Sequence, residues 1–534
     1  MNILEQKVQK KINGLFPNVS IDVRLEVASS KVNADLTYRG AFVIAKSLKK
    51  SPQEIAEQIC SLCATISDFS EVVAVNGHVN FILSEKFWKT FIDEVNSKKI
   101  IWEKKKTKNS IQLEFISANP TGPLTMGNGR GGFVGDTLAR VLGRAGNEVE
   151  KEYYVNDAGN QIQILARSIK KSLGIDHEVV SEQQDFYKGD YIDAIARELK
   201  KTKGLVWLKK SSLDPLGKIV AQKILNGLIK KDLKFIGITF DHFQSERELY
   251  KTHLIEKTWK ILKAKKAIYE KDNAVWLKTT KYGDEKDRVV QTSDGKPTYF
   301  MADLAYLYKR LHIEKYTKVI MIVGADHHGY IPRMLAGAQF LGYPNALTIY
   351  VSQLVRLIQD GVEIRMSKRK GVYVTLREVV EDIGHDAARY FFLSRALDSH
   401  MDIDLAIAKE QSNRNPIYYI QYMSARIASV KKKVPKKYLK NDNCDLDNVT
   451  IYEKELLKML FKYTEIMNEV EKTHLVNMLT QYAYELASSY HIFYENCRIL
   501  GDPHIARRVT ISRAAEKILH ELLYIMGITP KSVL

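Results

Sequence analysis

Apolar residues recur at intervals of three and four through four stretches of the C-terminal third: PIYYIQYMSARIASV, YEKELLKMLFKYTEIMNEV, VNMLTQYAYELASSYHIFYENC and ISRAAEKILHELLYIMGI. That spacing predicts four amphipathic helices, and four helices of similar length suggest a bundle. The middle of the chain has another rhythm. Short β-rich runs, IQLEFI (111–116), EVEKEYYV, KVIMIVGAD (318–326) and ALTIYVS, alternate with the helical patterns FVGDTLARVLGRAG (133–146) and PRMLAGAQFLG. Such alternation is expected of a parallel α/β sheet. The N-terminal MNILEQKVQKKING spaces its apolar residues as a helix does and lacks the apolar centre of a signal peptide. No run approaches the roughly 18 apolar residues of a membrane span, so a soluble chain with no membrane-spanning segment is expected.

Charge runs then divide the chain. SKKIIWEKKKTKN (97–109) bridges an N-terminal region and the α/β segment, and KKKVPKK (431–437) lies inside the helical region. No fixed-period repeat and no low-complexity tract beyond the lysine runs is present. A chain of 534 residues exceeds one hydrophobic core and predicts two to four domains. With 81 Lys+Arg against 63 Asp+Glu, the formal charge of +18 favours a polyanionic partner, nucleic acid or an anionic membrane, over a merely lysine-rich solvated surface. Four cysteines make no disulfide framework and fit a reducing compartment. Cys60 and Cys63 form a C-x-x-C, half of a zinc site or a redox pair by spacing, but IAEQICSLCATI places both thiols among the apolar positions of a helix.

The segment richest in candidate chemistry is ANPTGPLTMGNGRGG (118–132), between an apolar run and an amphipathic one. Gly127, Gly129 and Gly132 spell G-x-G-x-x-G, with Glu150 and Glu152 about 20 residues on. In the dinucleotide fingerprint, however, the strand runs straight into the first glycine, and here a loop with Pro120 and Pro123 intervenes. The broader reading is a strand end, a proline-set loop and glycines that let a flat or phosphorylated ligand approach a helix N-terminus. A tight crossover loop with no ligand is the plain alternative. Thr125 and Asn128, three apart, can both donate hydrogen bonds there. Asp326, His327 and His328 are adjacent, so on an extended segment their side chains diverge, which disfavours a metal site.

These residues carry a resemblance. SANPTGPLTMGNGRGGFVGDTLARVLGRAGNEVEKEYYVNDAGNQI is similar to the first signature of the arginyl-tRNA synthetases, a family of class I aminoacyl-tRNA synthetases. YKGDYI (187–192), GADHHGYIPR (324–333), RMSKRKG (365–371), HDAARYFFLSR (385–395) and NPIYYIQYMSARI (415–427) continue the similarity in order. The family signature usually reads H-x-G-H, whereas this chain has Thr125, Met126, Gly127 and Asn128. Class I relatives that activate tryptophan can carry T-x-G-N there. A hydroxyl and an amide can donate as the histidines do, but any positive charge is lost.

The resemblance implies a class I Rossmann-like α/β catalytic domain over 106–375. An α+β N-terminal domain (1–105) would contact the tRNA elbow, and a connecting segment and all-α bundle (376–534) would read the anticodon. It implies Thr125, Asn128 and Lys368 as catalytic residues, with Gly127, Gly129, His327, Met366, Ser367 and Lys368 around ATP. Glu114, Ser117, Asn119, Tyr299, Asp303 and Asp326 would surround arginine. A guanidinium is best met by carboxylates, and Tyr299 and Asp303, four apart, share a helical face. Asn415, Tyr418, Tyr419, Gln421 and Tyr422 would offer amides and ring faces to unpaired bases, although tyrosines at helical spacing are also core residues. The expected partners are L-arginine, ATP with Mg2+ and the tRNA for arginine. The chain would be a cytoplasmic monomer with no structural metal. A non-catalytic tRNA-binding paralogue, or a ligase that adenylates a small acid without RNA, remain as alternatives.

Overall fold

The computed structural model describes residues 2–29, 32–104, 106–175, 186–359, 361–364, 374–439 and 445–533. The chain forms two compact units, Lys104–Glu410 and a second made of Met1–Glu103 with Gln411–Leu534.

Lys104–Glu410 is built on a five-stranded sheet of β1 (Ser110–Glu114), β2 (Glu148–Val155), β3 (His242–Ser245), β4 (Lys318–Gly324) and β5 (Leu347–Ser352). The spatial order is β5-β4-β1-β2-β3, and every pair is parallel. Parallel strands need crossovers that cover both faces, so β1 and β4 are buried along most of their length, as their apolar runs require. The Met126–Arg144 helix makes the β1-to-β2 crossover. The helix Asn160–Ser172 and, beyond residue 185, a run of helices from Asp190 to Phe235 are inserted before β3. An antiparallel sheet of Ile268–Lys271, Ala274–Leu277 and Arg288–Gln291 and the Tyr299–Tyr308 helix precede β4.

The glycines of the first signature helix serve mainly to bring it close to its neighbours. A Cβ on Gly135 would overlap the Phe115 ring, and one on Gly132 would fall 2.8 Å from Ile116 Cδ1, both at the exit of β1. A Cβ on Gly129 would meet Leu376 Cδ1 at 2.5 Å and Phe392 Cζ at 3.3 Å. On the side a Cβ would occupy, Gly129 therefore packs the helices Leu376–Ile383 and His385–Leu393 against the signature. Gly129→Ala is expected to cost about 1–3 kcal/mol, because Leu376 is itself fully buried and cannot swing away. Chemical denaturation should show a lower midpoint with an unchanged slope.

The same contacts tie the connecting segment after residue 375 to the sheet-bearing unit. The Leu376 N–H donates to the Leu124 carbonyl at 2.9 Å, and Arg389 pairs with buried Asp136 at 3.0 Å. Burial opposes a charge on Asp136, yet Arg389, Arg140 and Lys151 hold its carboxyl below the usual range. Residues 376–410, expected to lead into the bundle, thus belong to the sheet-bearing unit, and HDAARYF is one of its packed helices.

The second unit holds an antiparallel sheet in the order Glu26–Val27, Leu36–Tyr38, His78–Leu83, Phe69–Val75, with helices Asn2–Leu15, Ala41–Leu48, Pro52–Cys63 and Glu85–Ser97. Cys60 and Cys63 are buried in the third of these helices, which pushes their thiols up to about 11 and about 12. The bundle helices are Pro416–Lys433, Ile451–Thr473, Asn477–Asn496 and Ile505–Met526. The last begins earlier than its apolar pattern suggested, because Arg507 and Arg508 interrupt that pattern and are buried against Glu453 at 3.2 and 2.9 Å. Phe87, Trp88 and Phe91 meet Phe461 edge to face, joining the N-terminal part to the bundle. No helix among the described residues is long and apolar enough to cross a membrane.

Candidate active site

The strand order reverses direction between β1 and β4, and in open α/β sheets the crevice outside the carboxyl ends at such a point is where ligands bind. Glu114 ends β1 and stands in register with Glu152 on β2 and Met321 on β4. Two buried acids side by side demand a counter-charge. Arg310 supplies it, fully buried, with Nη1 2.8 Å from Glu114 Oε2 and 3.3 Å from Gln112 Oε1. Its guanidinium lies 4.1 Å from the centre of the Tyr306 ring, and Tyr306 donates its hydroxyl to Glu152. Gln112 Nε2 donates to the other Glu152 oxygen at 2.8 Å. Glu152 is the less compensated acid, and burial pushes it up to about 8. Arg310 sits in a π-turn, Lys309–Ile313, that continues the Tyr299–Tyr308 helix. Tyr299, Asp303, Tyr306 and Arg310 are thus spaced to share one face.

Asp303 is half-buried on that face and receives a hydrogen bond from the Tyr330 hydroxyl. Burial pushes Asp303 up to about 7; Glu246 and Glu114 push the same way, and Arg310 opposes them. Burial and Asp303 also hold the Tyr330 hydroxyl well above the ordinary tyrosine value. Three carboxylates from β1, the start of the Glu246–Lys251 helix and the Tyr299–Tyr308 helix therefore converge, with one internal cation among them. Such a pocket has an excess of negative charge for a cationic ligand. Tyr299 is 63% exposed, so its ring is presented rather than packed away. Its hydroxyl would lie 2.6 Å from a Cβ on Gly159, whose φ of +79° only glycine adopts readily.

The loop after β1 is strained. Ile116 and Ser117 both have positive φ, +66° and +37°, and a β-branched residue in this region is an outlier. Ser117 Oγ donates to Glu114 Oε1 at 3.1 Å and accepts the Tyr154 N–H at 3.1 Å. The Tyr153 and Tyr191 hydroxyls donate to the carbonyls of Ala118 and Thr121 at 2.8 and 2.7 Å, which leaves Asn119 exposed between fixed neighbours. YKGDYI is therefore a brace for the first signature.

Thr125 and Asn128 come together, but first for each other. Asn128 Oδ1 accepts the Thr125 N–H at 2.9 Å and the Thr125 hydroxyl at 2.8 Å, forming a capping box for the signature helix. The Thr125 proton is thus spent inside the protein, and the donor turned away from the cap is Asn128 Nδ2. Among the described residues, a Cβ on Gly127 would meet nothing closer than Thr125 Oγ1 at 3.9 Å. Asp326 and His327 lie in the exposed turn Ala325–Tyr330 after β4, with His327 Nδ1 2.9 Å from Asp326 Oδ1. Arg365, Met366, Ser367 and Lys368 lie outside the described residues. Among those described, no group of three or more His, Cys, Asp or Glu is placed to hold a metal.

In the other unit, two of the five RNA candidates face inward. Asn415 is buried and caps the Pro416–Lys433 helix through the Ile417 N–H at 3.2 Å. Gln421 is buried and donates to the Thr529 carbonyl at 3.0 Å. Their amides are engaged in holding the bundle, which corrects the expectation of base contacts. Tyr418, Tyr419 and Tyr422 are partly exposed. Tyr419 lies 5.2 Å from Tyr484, and Arg426 stacks on both Tyr422 and Tyr494 at 4.5 Å.

Sequence reasoning missed Arg310, Glu246, Tyr330 and the Gln112–Glu152 pair. The 4-3-4 spacing of Tyr299, Asp303, Tyr306 and Arg310 was the available signal for the first. Glu246 follows a four-residue strand and had none.

Three family descriptions match the chain: an arginyl tRNA synthetase N-terminal domain over 2–83, a class I (R) tRNA synthetase catalytic domain over 92–405, and a DALR anticodon-binding domain over 420–534. An arginine–tRNA ligase of Syntrophotalea carbinolica is 38% identical over 95% of this chain and 94% of its own length. One of Aquifex aeolicus is 35% identical over 99% of each. The arginyl-tRNA synthetase structure of Thermus thermophilus, 19% identical, covers 100% of both chains with a TM-score of 0.78, a likeness of fold. From its N-terminal sheet through the class I catalytic unit to the helical bundle, the chain belongs to the arginyl-tRNA synthetase family.

Proposed function

We propose that the chain joins L-arginine to its tRNA in two steps. An oxygen of the arginine carboxylate attacks the α-phosphorus of ATP, supplied with Mg2+, and pyrophosphate leaves. A hydroxyl of the terminal ribose of tRNA then attacks the activated carbonyl carbon, and AMP leaves. The observation that carries this reading is the convergence of Asp303, Glu246 and Glu114 at the sheet's reversal point. Such a set meets a guanidinium or an ammonium better than any neutral group, since both are donors only.

Within it, Asp303, assisted by Glu246 and Tyr299, takes the guanidinium. Glu114, Ser117 and Asn119 face the α-amino end, with Asp326 at the pocket's rim. Gly127, His327, Met366 and Ser367 border ATP. Asn128 Nδ2 and Lys368 reach the phosphates, and Thr125 holds Asn128 in place. Tyr419 and Tyr422 with Arg426 offer ring faces to anticodon bases, and the N-terminal part contacts the tRNA elbow. The enzyme works in the cytoplasm as a monomer.

Arginine-dependent exchange of labelled pyrophosphate into ATP tests this reading. Exchange with arginine alone of an amino-acid panel, stimulated by tRNA, is expected. Silence from folded protein that still binds tRNA would mean a non-catalytic paralogue, and exchange with indifference to tRNA throughout would mean a ligase of another kind.

A further inference from the structure

The inserted helix Asp190–Lys203 ends at Gly204, and a six-residue helix, Leu205–Lys210, follows at once. Lys200, Lys201, Lys203, Lys209 and Lys210 are all exposed on this turn, within a few residues of Trp207 in sequence. None of the five has an acidic partner among the described residues. The nearest acids in sequence are already paired, Glu198 with Lys223 at 2.5 Å and Asp214 with Lys218 and Arg247 at 2.7 and 2.9 Å. The turn is nonetheless well anchored. Leu208 is fully buried beneath it, and Lys170 Nζ donates to the Ser211 carbonyl at 2.8 Å. Trp207 stays 37% exposed, with Lys203 Nζ 5.8 Å from its ring centre, and Val206 beside it is 68% exposed. A fixed backbone that displays an indole among unpaired ammonium groups is built to be covered by an anion with flat groups.

We propose that the Lys200–Lys210 turn is a docking site for the RNA strand leading to the reacting 3′ end, with a base stacked on Trp207 and the lysines on its phosphates. The proposal rests on the ligase reading above and adds a surface to it. Position supports it as well as charge. Tyr191, the second residue of the helix, is hydrogen-bonded to the Thr121 carbonyl of the signature loop. A helix of 14 residues rises about 20 Å, so the turn stands about that far along the helix from Tyr191. A strand whose end reached the site could pass the turn within several nucleotides of that end. Stacking on an aromatic ring tolerates any base, which suits a strand held for its position. An anionic membrane fits less well, since one indole and one valine offer little apolar area to insert.

The test measures equilibrium binding of arginine tRNA at about 50 and about 200 mM KCl by wild type, Trp207→Ala, Trp207→Phe and the combined Lys200→Ala, Lys201→Ala, Lys203→Ala variant. Trp207→Ala is expected to weaken binding about tenfold, with Phe retaining most of it. The lysine variant should flatten the slope of log K against log salt by about 2, close to 0.7–0.9 for each phosphate no longer neutralised. Arginine KM should stay within about twofold of wild type in all of them. Binding by Trp207→Ala and the lysine variant within about twofold of wild type overturns the proposal. So does loss of binding to phosphatidylserine vesicles with tRNA affinity intact. Failure of the wild type to charge tRNA with arginine would instead defeat the ligase reading, so the two failures are separable.

Discussion

Lys368→Ala is expected to lower the rate of arginine activation by about 10²- to 10³-fold while leaving tRNA affinity nearly unchanged. In the transition state, negative charge spreads over five-coordinate phosphorus and the departing pyrophosphate. A lysine that meets this charge more strongly than it meets bound ATP lowers the barrier. The signature helix makes the demand on Lys368 greater than an H-x-G-H sequence would. Neither Thr125 nor Asn128 can carry a positive charge, and the Thr125 hydroxyl is already donated to Asn128 Oδ1. What remains there is the neutral amide Nδ2, together with the N-terminal end of the helix. Pre-steady-state measurement of pyrophosphate release isolates the step. A rate within threefold of wild type would remove Lys368 from the mechanism. Retention of kcat with a raised KM for ATP would make it a ground-state contact.

How much of this was legible in the sequence depended on the kind of residue. The parallel sheet was, because KVIMIVG and the run containing Ile111, Leu113 and Phe115 are too apolar for a face open to water. The bundle helices were, by the spacing of their apolar residues. Charged residues that work in the interior were not. Arg507 and Arg508 hid the first turn of the last helix, and nothing in the local pattern tied Gln112 and Glu114 to Arg310, which pairs with both from 198 and 196 residues away. Glycine is ambiguous in a different way. A sequence shows only that a side chain is missing, not whether ligand or protein fills the space; at Gly129 Leu376 lies where a Cβ would, whereas at Gly127 no described atom comes nearer than 3.9 Å. Asn415 and Gln421 show the converse error, polar residues taken for RNA-facing groups when the backbone had already claimed them.

Asp303→Asn is expected to reduce kcat/KM for arginine by about 10²- to 10³-fold, the scale of leaving a partly desolvated cation without its counter-charge. KM for ATP should change little. The pH dependence makes the assignment stringent. Arginine's guanidinium stays protonated throughout the accessible range, so only the carboxyl titrates. Because burial pushes Asp303 up to about 7, wild-type kcat/KM for arginine should climb with pH below 7 and level off above it. In Asp303→Asn that limb should vanish.

Stability should move the opposite way. A carboxyl whose folded value is raised takes up a proton on folding between its unfolded value near 4 and about 7. The native state therefore binds more protons than the unfolded one across that window, and stability falls as pH rises through it. Above pH 7 Asp303 is held ionised in a site that disfavours its charge, and the neutral Asp303→Asn variant should melt at a higher temperature than wild type there. At pH 4 the two should coincide. Saturating arginine should restore the wild type's deficit at pH 8 and do little for the variant, since the cation is what the buried charge lacks. An Asp303→Asn variant less stable than wild type at pH 8, with an unaltered pH profile for arginine, would mean that another of the converging acids binds the guanidinium, and Glu246→Gln would then be the variant to carry the lost limb.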